Sequence, residues 1–419
     1  MKHFIRLSIS FLFLASVLGS VSISSYAQSK PQRPTTGTGN EKKNQRPSPK
    51  TDEELKKEAE EKQRKEEEKN AKEEPGVIPI ETNTVNVDAV VLNKKTGQII
   101  TGLKKENFSI YEDGVKKDIS SFTTPESPIT VTLVLEYSKW TEQFGRANSR
   151  GFEPGHYETV RPVAQFLTQF IRPPDDYASV IAFDLRPTPI TDFTNDPARI
   201  RDTINLLLRN YPAFRENNLF DALQLALIGG RGDSVVLENS KEEKADYSGM
   251  VAIKAKRRAI ILVASGIDTF SKINYDEVRR VIQSAGIPIY IISTANMFCK
   301  LYCDYLDPSR VMPGMPDRMT FLQAKNQMNT FAKESGGAHF EMTFPQEIPS
   351  YLQSINSLLR SQYNLAYDLE QKHAPGEKHK LEVKVDVDGD GQTDEKAYVV
   401  QHRPYVLTPG GEKPSSKKK

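Results

Sequence analysis

The chain has 419 residues, 37% of them hydrophobic and 27% charged, a length that calls for two or three domains. Its 57 basic and 55 acidic side chains leave a formal charge of +2, which argues against a dedicated nucleic-acid binder. A single apolar segment, at the N-terminus, excludes a polytopic membrane protein, and two cysteines exclude a disulfide scaffold or a four-cysteine zinc site.

Residues 1–27 read as a secretory signal peptide. Lys2 and Arg6 supply the positive start, Leu7 to Val21 the apolar stretch, and Ser25 and Ala27 the small residues before a cut at Gln28. An uncleaved anchor is the alternative, and would be the chain's membrane contact. No cysteine follows the apolar run, which speaks against a lipoprotein anchor. Export places the protein in the periplasm, at the cell surface or outside the cell. Cleavage leaves 55 basic and 55 acidic residues, so any electrostatic function must come from local patches.

Residues 28–75 form a charged spacer. From Asp52 to Glu74, 18 of 23 residues are charged, which leaves no apolar face to bury. Such a stretch is a disordered linker or a lone solvated helix of coiled-coil type, supported by pairs such as Glu53–Lys57 at about 0.2–0.5 kcal/mol each. It either sets the reach of the folded part or is a plain linker.

Composition changes at Gly76. Val85, Val87, Ala89 and Val91 alternate with other residues, and turns follow at Lys94–Gly97 and Glu112–Gly114, so 76–127 reads as a small β-domain or β-lead-in. From 128 to 361 strands and helices alternate. VTLVL (131–135), SVIAF (179–183), AIILVA (259–264) and IPIYIIS (287–293) are buried strands. Helical spacing runs through Val160–Ile171, Ile200–Tyr211 behind Asp196-Pro197, Leu219–Leu227, 274–284, 320–334 and 347–360. That order predicts an α/β domain with a mostly parallel central sheet flanked by helices. Ligands of such sheets bind at the carboxyl ends of the strands, so chemistry is to be sought after Leu135, Phe183 and Ala264. Residues 362–407 return to strands as a β-rich C-terminal extension, and 408–419 are a polar tail.

The run VTLVLEYSKW, the segment NNLFDAL, ILVASGIDTF and GIPIYIIS resemble successive blocks of a von Willebrand factor A (VWA) domain. The lead-in LKKENFSIYEDGVKKDISSF, the DFTND segment, ESGGAHF and SQYNLAYDL resemble the VWFA-related family abundant in Acidobacteria. The likeness covers about residues 80–405 and is carried by the order and spacing of the blocks. It implies a Rossmann-like sheet, a metal-ion-dependent adhesion site and a binding role. The family motif is Asp-x-Ser-x-Ser after the first strand, a Thr on a second loop and an Asp on a third. Here Glu136, Ser138 and Trp140 stand at the first three positions, Asn217 at the threonine and Ser265 at the last aspartate. Only Ser138 is unchanged. A hard cation wants several oxygen ligands, so a fold retained with its metal site lost is preferred to a working magnesium site at Glu136 and Ser138. Trp140 is then a contact at the rim or packing. Asp268 caps a turn or lends a carboxylate, and Asp221 is a ligand or a polar tie to the first-strand loop.

In VDVDGDGQTDE, Asp386, Asp388 and Asp390 hold positions 1, 3 and 5 of a calcium loop, and Asp394 holds position 9. Position 12 is Ala397 and Glu395 comes early, so a charged β-turn competes with calcium binding. Cys299 and Cys303 are candidates for a local disulfide after export, within an irregular insertion at 294–318. Arg231-Gly232-Asp233-Ser234 spells the integrin-binding tripeptide, but three residues recur often by chance and a solvent loop with Gly turns is the preferred reading. Nucleophile elbow, phosphate loop and HExxH are all missing from the sequence. The expectation is therefore an exported, non-enzymatic protein-binding module for adhesion or assembly, with a degenerate metal site. Its rim is formed by Glu136, Ser138, Trp140, Asn217, Ser265 and Asp268. Its partner is an unidentified protein rather than nucleic acid or a small molecule, and calcium and magnesium are the candidate cofactors. An envelope structural protein and a hydrolase using Glu136 and Asp268 are the alternatives.

Overall fold

The computed structural model describes residues 84–148, 151–233, 244–303, 318–369 and 376–408. The signal segment, the charged spacer, Ser234 and the tail beyond Thr408 lie outside them. The described residues all belong to one compact unit, residues 74–419. None of their helices is long and apolar enough to cross a membrane.

In chain order the strands that open the unit are β1 (Thr84–Asn93), β2 (Ile99–Ile100), β3 (Phe108–Glu112), β4 (Val115–Lys117) and β5 (Ser121–Thr123). Next come β6 (Ile129–Glu136), the short hairpin β7 (Arg146–Asn148) and β8 (Gly151–Glu153), helix α1 (His156–Phe170), β9 (Tyr177–Phe183) and β10 (Pro187–Thr194). Helices α2 (Pro197–Arg209) and α3 (Leu219–Ile228) lead to the hairpin β11 (Gly230–Asp233) and β12 (Lys244–Tyr247) and the turn α4 (Gly249–Ala252). The domain continues with β13 (Arg257–Ala264), α5 (Tyr275–Ala285), β14 (Ile289–Ser293), α6 (Ala295–Tyr302), α7 (Arg318–Ser335), β15 (His339–Glu341) and α8 (Ile348–Arg360). Strands β16 (Tyr363–Asp368), β17 (Lys378–Val385), β18 (Tyr398–Gln401) and β19 (Tyr405–Leu407) close it.

The central sheet has the order β10-β9-β6-β13-β14-β15. Pairings β6–β9, β6–β13, β13–β14 and β14–β15 are parallel, while β10 runs antiparallel along β9 as an edge that the sequence reading missed. The other four sheets are antiparallel. Every residue of β6 is buried, because helices cover both faces. Its side chains alternate between two cores. Leu133 and Leu135 pack with α1, α2 and α8, whereas Val134 packs with α3, α5 and α7. Local chemistry sets the helix starts. Asp196 accepts Ala198 N–H at 2.8 Å ahead of Pro197, and Asn274 with Glu277 forms a capping box on α5, which ends at left-handed Gly286.

The two terminal β segments, read as separate elements at 76–127 and 362–407, join. β1 pairs with β16 and β18, and β3 pairs with β17. The sheets β18-β1-β16-β5 and β19-β17-β3-β4 share one core, built from Val85, Val87, Phe108, Ile110, Tyr363, Leu365, Leu381 and Val383 among others. Neither segment can bury its apolar face alone, so each supplies strands to both sheets. The α/β domain is thus an insertion between β5 and β16 of a β-sandwich.

Buried Arg257, the first residue of β13, fastens the two at the crossing points. Its guanidinium donates to the carbonyls of Pro125 (2.6 Å), Ser127 and Leu359, at the entry to and exit from the insertion. Arg360 pairs with Asp176 at 2.6 Å, and Gln401 of β18 donates to the Gly337 carbonyl at 2.8 Å. These contacts sit at the amino ends of the parallel strands. The sandwich therefore covers that end, and the carboxyl ends face away from it.

Candidate binding rim

The loops after β6, β9, β13, β14 and β15, together with the α2–α3 loop, make up the carboxyl-end rim. At its centre stands Glu136, the last residue of β6, only 3% exposed. One carboxylate oxygen accepts the Ser138 hydroxyl at 2.7 Å and the Asn217 side-chain N–H at 2.8 Å. The other accepts the backbone N–H of Ser265 at 2.6 Å. The Ser138 oxygen also receives Trp140 N–H at 3.3 Å, and the Ser265 oxygen receives Ile267 N–H at 3.3 Å. The structure thus brings Glu136, Ser138, Asn217 and Ser265 together from three loops, all of them buried.

This donor set does not fit a divalent cation. It holds one carboxylate, and both of its oxygens already accept protein donors. Asn217 turns its N–H toward that carboxylate, leaving its own Oδ1 buried without a hydrogen-bond partner. A hard cation would need further anionic oxygens in that place. The extra methylene of Glu relative to Asp carries the carboxylate toward Asn217 and Ser265.

Trp140 is half-buried, with its ring edge-on to Phe298 of α6 at 6.1 Å, so it packs at the rim margin. Phe298 stacks in turn on Phe321 of α7 at 6.4 Å. The insertion read as irregular contains α6, and Cys299 in that helix forms a disulfide with Cys303 just after its end; residues 304–317 of the insertion lie outside the described residues. Asp268 accepts the Ser271 hydroxyl at 2.5 Å and Phe220 N–H at 3.2 Å, and with Ser271 it caps α3. Burial pushes its carboxyl up. Asp221 ties to Lys272 N–H (3.0 Å) and Ile273 N–H (3.2 Å) on the β13–α5 loop, not to the loop after β6.

Two features of the rim escaped sequence reasoning. Glu142, in the 3-10 turn Thr141–Phe144, binds the His156 ring and accepts Gly155 N–H at 3.2 Å, pinning the start of α1. The rings of Tyr157, Tyr137 and Tyr211 surround His156 edge-on at 4.7, 5.5 and 5.6 Å. The second feature is apolar exposure. Tyr211 (68%), Phe270 (61%), Met319 (59%), Phe344 (59%), Phe214 (46%) and Leu322 (46%) are six of the ten large apolar side chains exposed among the described residues, and all six lie on this rim. Large apolar residues between the periodic segments, such as Phe214 and Phe270, were the available signal, whereas Tyr211 was read into a helix that ends at Arg209.

The other candidates lie elsewhere. Carboxylate oxygens of Asp386, Asp388 and Asp394 come within 4.8 Å of one another in the β17–β18 connection of the sandwich. They also serve the turn. Asp386 accepts Gly389 N–H (2.7 Å) and Gly391 N–H (2.8 Å), and Asp394 accepts Val387 N–H (2.8 Å). Against the desolvation that would raise it, these backbone donors hold the Asp386 carboxyl below its usual range. Asp390 accepts Gln392 N–H at 2.7 Å, and Glu395 pairs with Lys384 at 2.6 Å, so neither joins the group. Arg231, Gly232 and Asp233 lie in β11, in register with β12, where a solvent loop was expected. That hairpin follows α3, at the end of the domain opposite the rim.

No protein-family model and no curated protein matches the chain. Solved structures similar to it include proximal thread matrix protein 1 from the mussel byssus, with 12% identity, TM-score 0.37, and 59% of this chain on 50% of that one. BatB from Bacteroides thetaiotaomicron gives 12% identity and TM-score 0.33, over 56% of this chain and 100% of that one. A von Willebrand factor type A protein from Catenulispora acidiphila gives 7% identity and TM-score 0.36, over 73% and 74%. The chain spans about half the length of the mussel protein. Likeness at this level carries no weight on function, which rests on the chain's own geometry.

Proposed function

We propose that this is an exported VWA-type protein-binding module, of adhesion or assembly type, that engages its partner through the carboxyl-end rim without a bridging cation. The observation that carries the reading is the gathering of exposed Tyr211, Phe214, Phe270, Met319, Leu322 and Phe344 on one end of the domain, around a carboxylate that is already satisfied. Exposed apolar side chains collected in one region mark interaction sites, and aromatic and Met residues are enriched at protein interfaces. Covering the opposite end with the sandwich leaves this rim as the presenting face. Export rests on the residues 1–27 pattern, and the VWA assignment on the order of the sequence blocks. A hydrolase acting through Glu136 and Asp268 finds no support, because both carboxylates are spent on internal donors.

The test is chemical cross-linking of the full chain in its native envelope, with and without EDTA, against a Phe270→Ser/Phe344→Ser variant. A partner cross-linked equally with chelator and lost in the variant is the expected result. Retention by the variant, or loss on chelation, would overturn the reading.

A further inference from the structure

We propose that His402 is a pH-sensitive latch: as a neutral imidazole it ties the two sheets of the sandwich together, and on taking a proton it lets that tie go. The chain crosses from one sheet to the other between β18 and β19, through His402, Arg403 and Pro404. Around this crossover three successive side chains reach three different places. Gln401 donates to the Gly337 carbonyl of the α/β domain at 2.8 Å. Arg403, which is buried, donates to the Asn86 carbonyl of β1 at 2.8 Å and fills the space beside Gly286, where a Cβ would meet its guanidinium. His402 turns back to β17 and accepts the Val383 N–H on Nε2 at 3.2 Å. The pairing of β17 with β19 has ended by then, at Lys380. The imidazole thus takes the place of a strand carbonyl on this edge, next to the Pro404 carbonyl that receives Leu381 N–H at 2.9 Å.

These hydrogen bonds fix the protonation state that the latch needs. Nε2 faces a backbone donor, so it carries a lone pair, and the ring proton sits on Nδ1, which donates to the Arg403 carbonyl at 2.7 Å. A second proton would have to sit on Nε2. Two donors would then face each other, and Val383 N–H would lose its acceptor. The ring borders a surface groove, and the charged groups around it are Arg403 on its own segment, Glu382 and Lys384 on β17, Lys94 after β1 and Glu395 before β18. Glu382 is paired with Lys380, and Glu395 with Lys384 at 2.6 Å. Burial is the largest cause that holds the ring below its ordinary 6.5; the bond to the Arg403 carbonyl opposes it, the Arg403 charge adds to it, and Glu382 opposes it. A histidine lowered in this way stabilises the fold in its neutral form. The contribution is complete above about pH 6.5 and is lost as pH falls through the folded value. Asp88 of β1, which also feels Arg403, acts in the opposite sense: burial pushes it up to about 6, so it favours the fold when protonated. Global unfolding mixes the two effects, and a local readout separates them.

Amide hydrogen exchange of the full chain, read by NMR, tests this. Val383 is measured against Leu381 on the same strand edge, whose acceptor is a carbonyl that does not titrate. The ratio of Val383 to Leu381 protection is expected to fall at least about tenfold between about pH 7.5 and about pH 5 in the wild type. In His402→Gln the side-chain oxygen can accept Val383 N–H and takes up no proton in this range, so the ratio is expected to stay level. A ratio that does not move in the wild type, or that still falls in His402→Gln, overturns the proposal. The His402 ring nitrogen shifts give a check that needs no variant: at about pH 7.5 the proton is expected on Nδ1, and a proton on Nε2 overturns the latch. Asp88→Asn is expected to keep the fall; its disappearance there would move the titration to Asp88 and overturn the assignment to His402.

Discussion

Asp88 lies in β1 where the sandwich meets the α/β domain, and its carboxyl is pushed up to about 6 from 3.8. Desolvation by burial is the largest cause. The Asn364 side-chain N–H at 2.9 Å and the charges of Arg258, Arg403 and Arg257 oppose it without winning. A group whose folded pKa is raised favours folding in its protonated form. Its contribution is complete below about pH 4 and is lost as pH rises through about 6. A shift of about two pH units corresponds to about 3 kcal/mol, an upper figure because Asp88 keeps some solvent contact. Asn imitates the protonated acid and still accepts from Asn364, so Asp88→Asn is expected to be more stable than wild type at pH 7.5 by up to about 3 kcal/mol. The two proteins are expected to converge near pH 4. Urea unfolding at half-unit pH steps measures this. Parallel stability curves, or a variant less stable at neutral pH, would show that the three arginines hold Asp88 ionised and that the argument from burial is wrong.

Glu136→Ala strips the acceptors from Ser138, Asn217 and Ser265 N–H, and at about 1–3 kcal/mol for each buried unsatisfied group it is expected to lose roughly 3–5 kcal/mol in denaturant unfolding. A loss below about 1 kcal/mol would mean that the network is not closed as described. Gly155→Ala drives a Cβ into the Thr141 carbonyl and within 2.7 Å of the Glu142 backbone, so it is expected to cost about 2 kcal/mol or more and to release the Glu142–His156 pair, visible in the His156 NMR shifts. Calorimetric titration with magnesium is expected to give no heat from Glu136, seen as identical isotherms for wild type and Glu136→Gln. Asp386→Ala leaves Gly389 and Gly391 N–H without their acceptor and is expected to lower the unfolding midpoint slightly, equally with chelator and with calcium. A loss confined to calcium-containing buffer would assign the turn to a cation instead.

The parts of the fold that were legible in sequence are those whose signal is local. The run VTLVLE shows that β6 is covered on both faces, and Asp196-Pro197 marks the start of α2. The antiparallel edge β10 was hidden because PTPITDFT carries two prolines and a bulged register, which dilute any strand pattern. The sandwich was hidden because its pairings join residues nearly three hundred positions apart, such as Val85 with Tyr367. At the rim, residue types at Glu136, Ser138, Asn217 and Ser265 could be read off as departures from a motif. That they satisfy one another could not, since it depends on the reach of the Glu136 side chain and the direction of the Asn217 amide. The exposed aromatics were written in the loops, but exposure is a tertiary property, and an unburied Phe270 reads the same as a buried Phe331.

A rim of this kind, working without a cation, has to solve an electrostatic problem. A bound divalent ion gives an adhesion site positive charge and an open coordination position for a partner's carboxylate. Removing the ion while keeping an acidic residue at the centre would turn attraction into repulsion. Here the central carboxylate is covered, and three neutral donors disperse its charge. Farther out on the same end exposed Lys139, Arg215, Lys272, Lys300 and Arg318 are interspersed with Glu216 and Asp184, a mixed set of charges. Cations spread over flexible stems attract more weakly per contact than an ion held by several oxygens, and salt screens them over about 10 Å. On the function proposed above, binding at such a surface would therefore depend chiefly on the apolar contacts, with a smaller part sensitive to ionic strength. It would also be indifferent to chelators, and that separates it from an ion-bridged site by solution measurement alone.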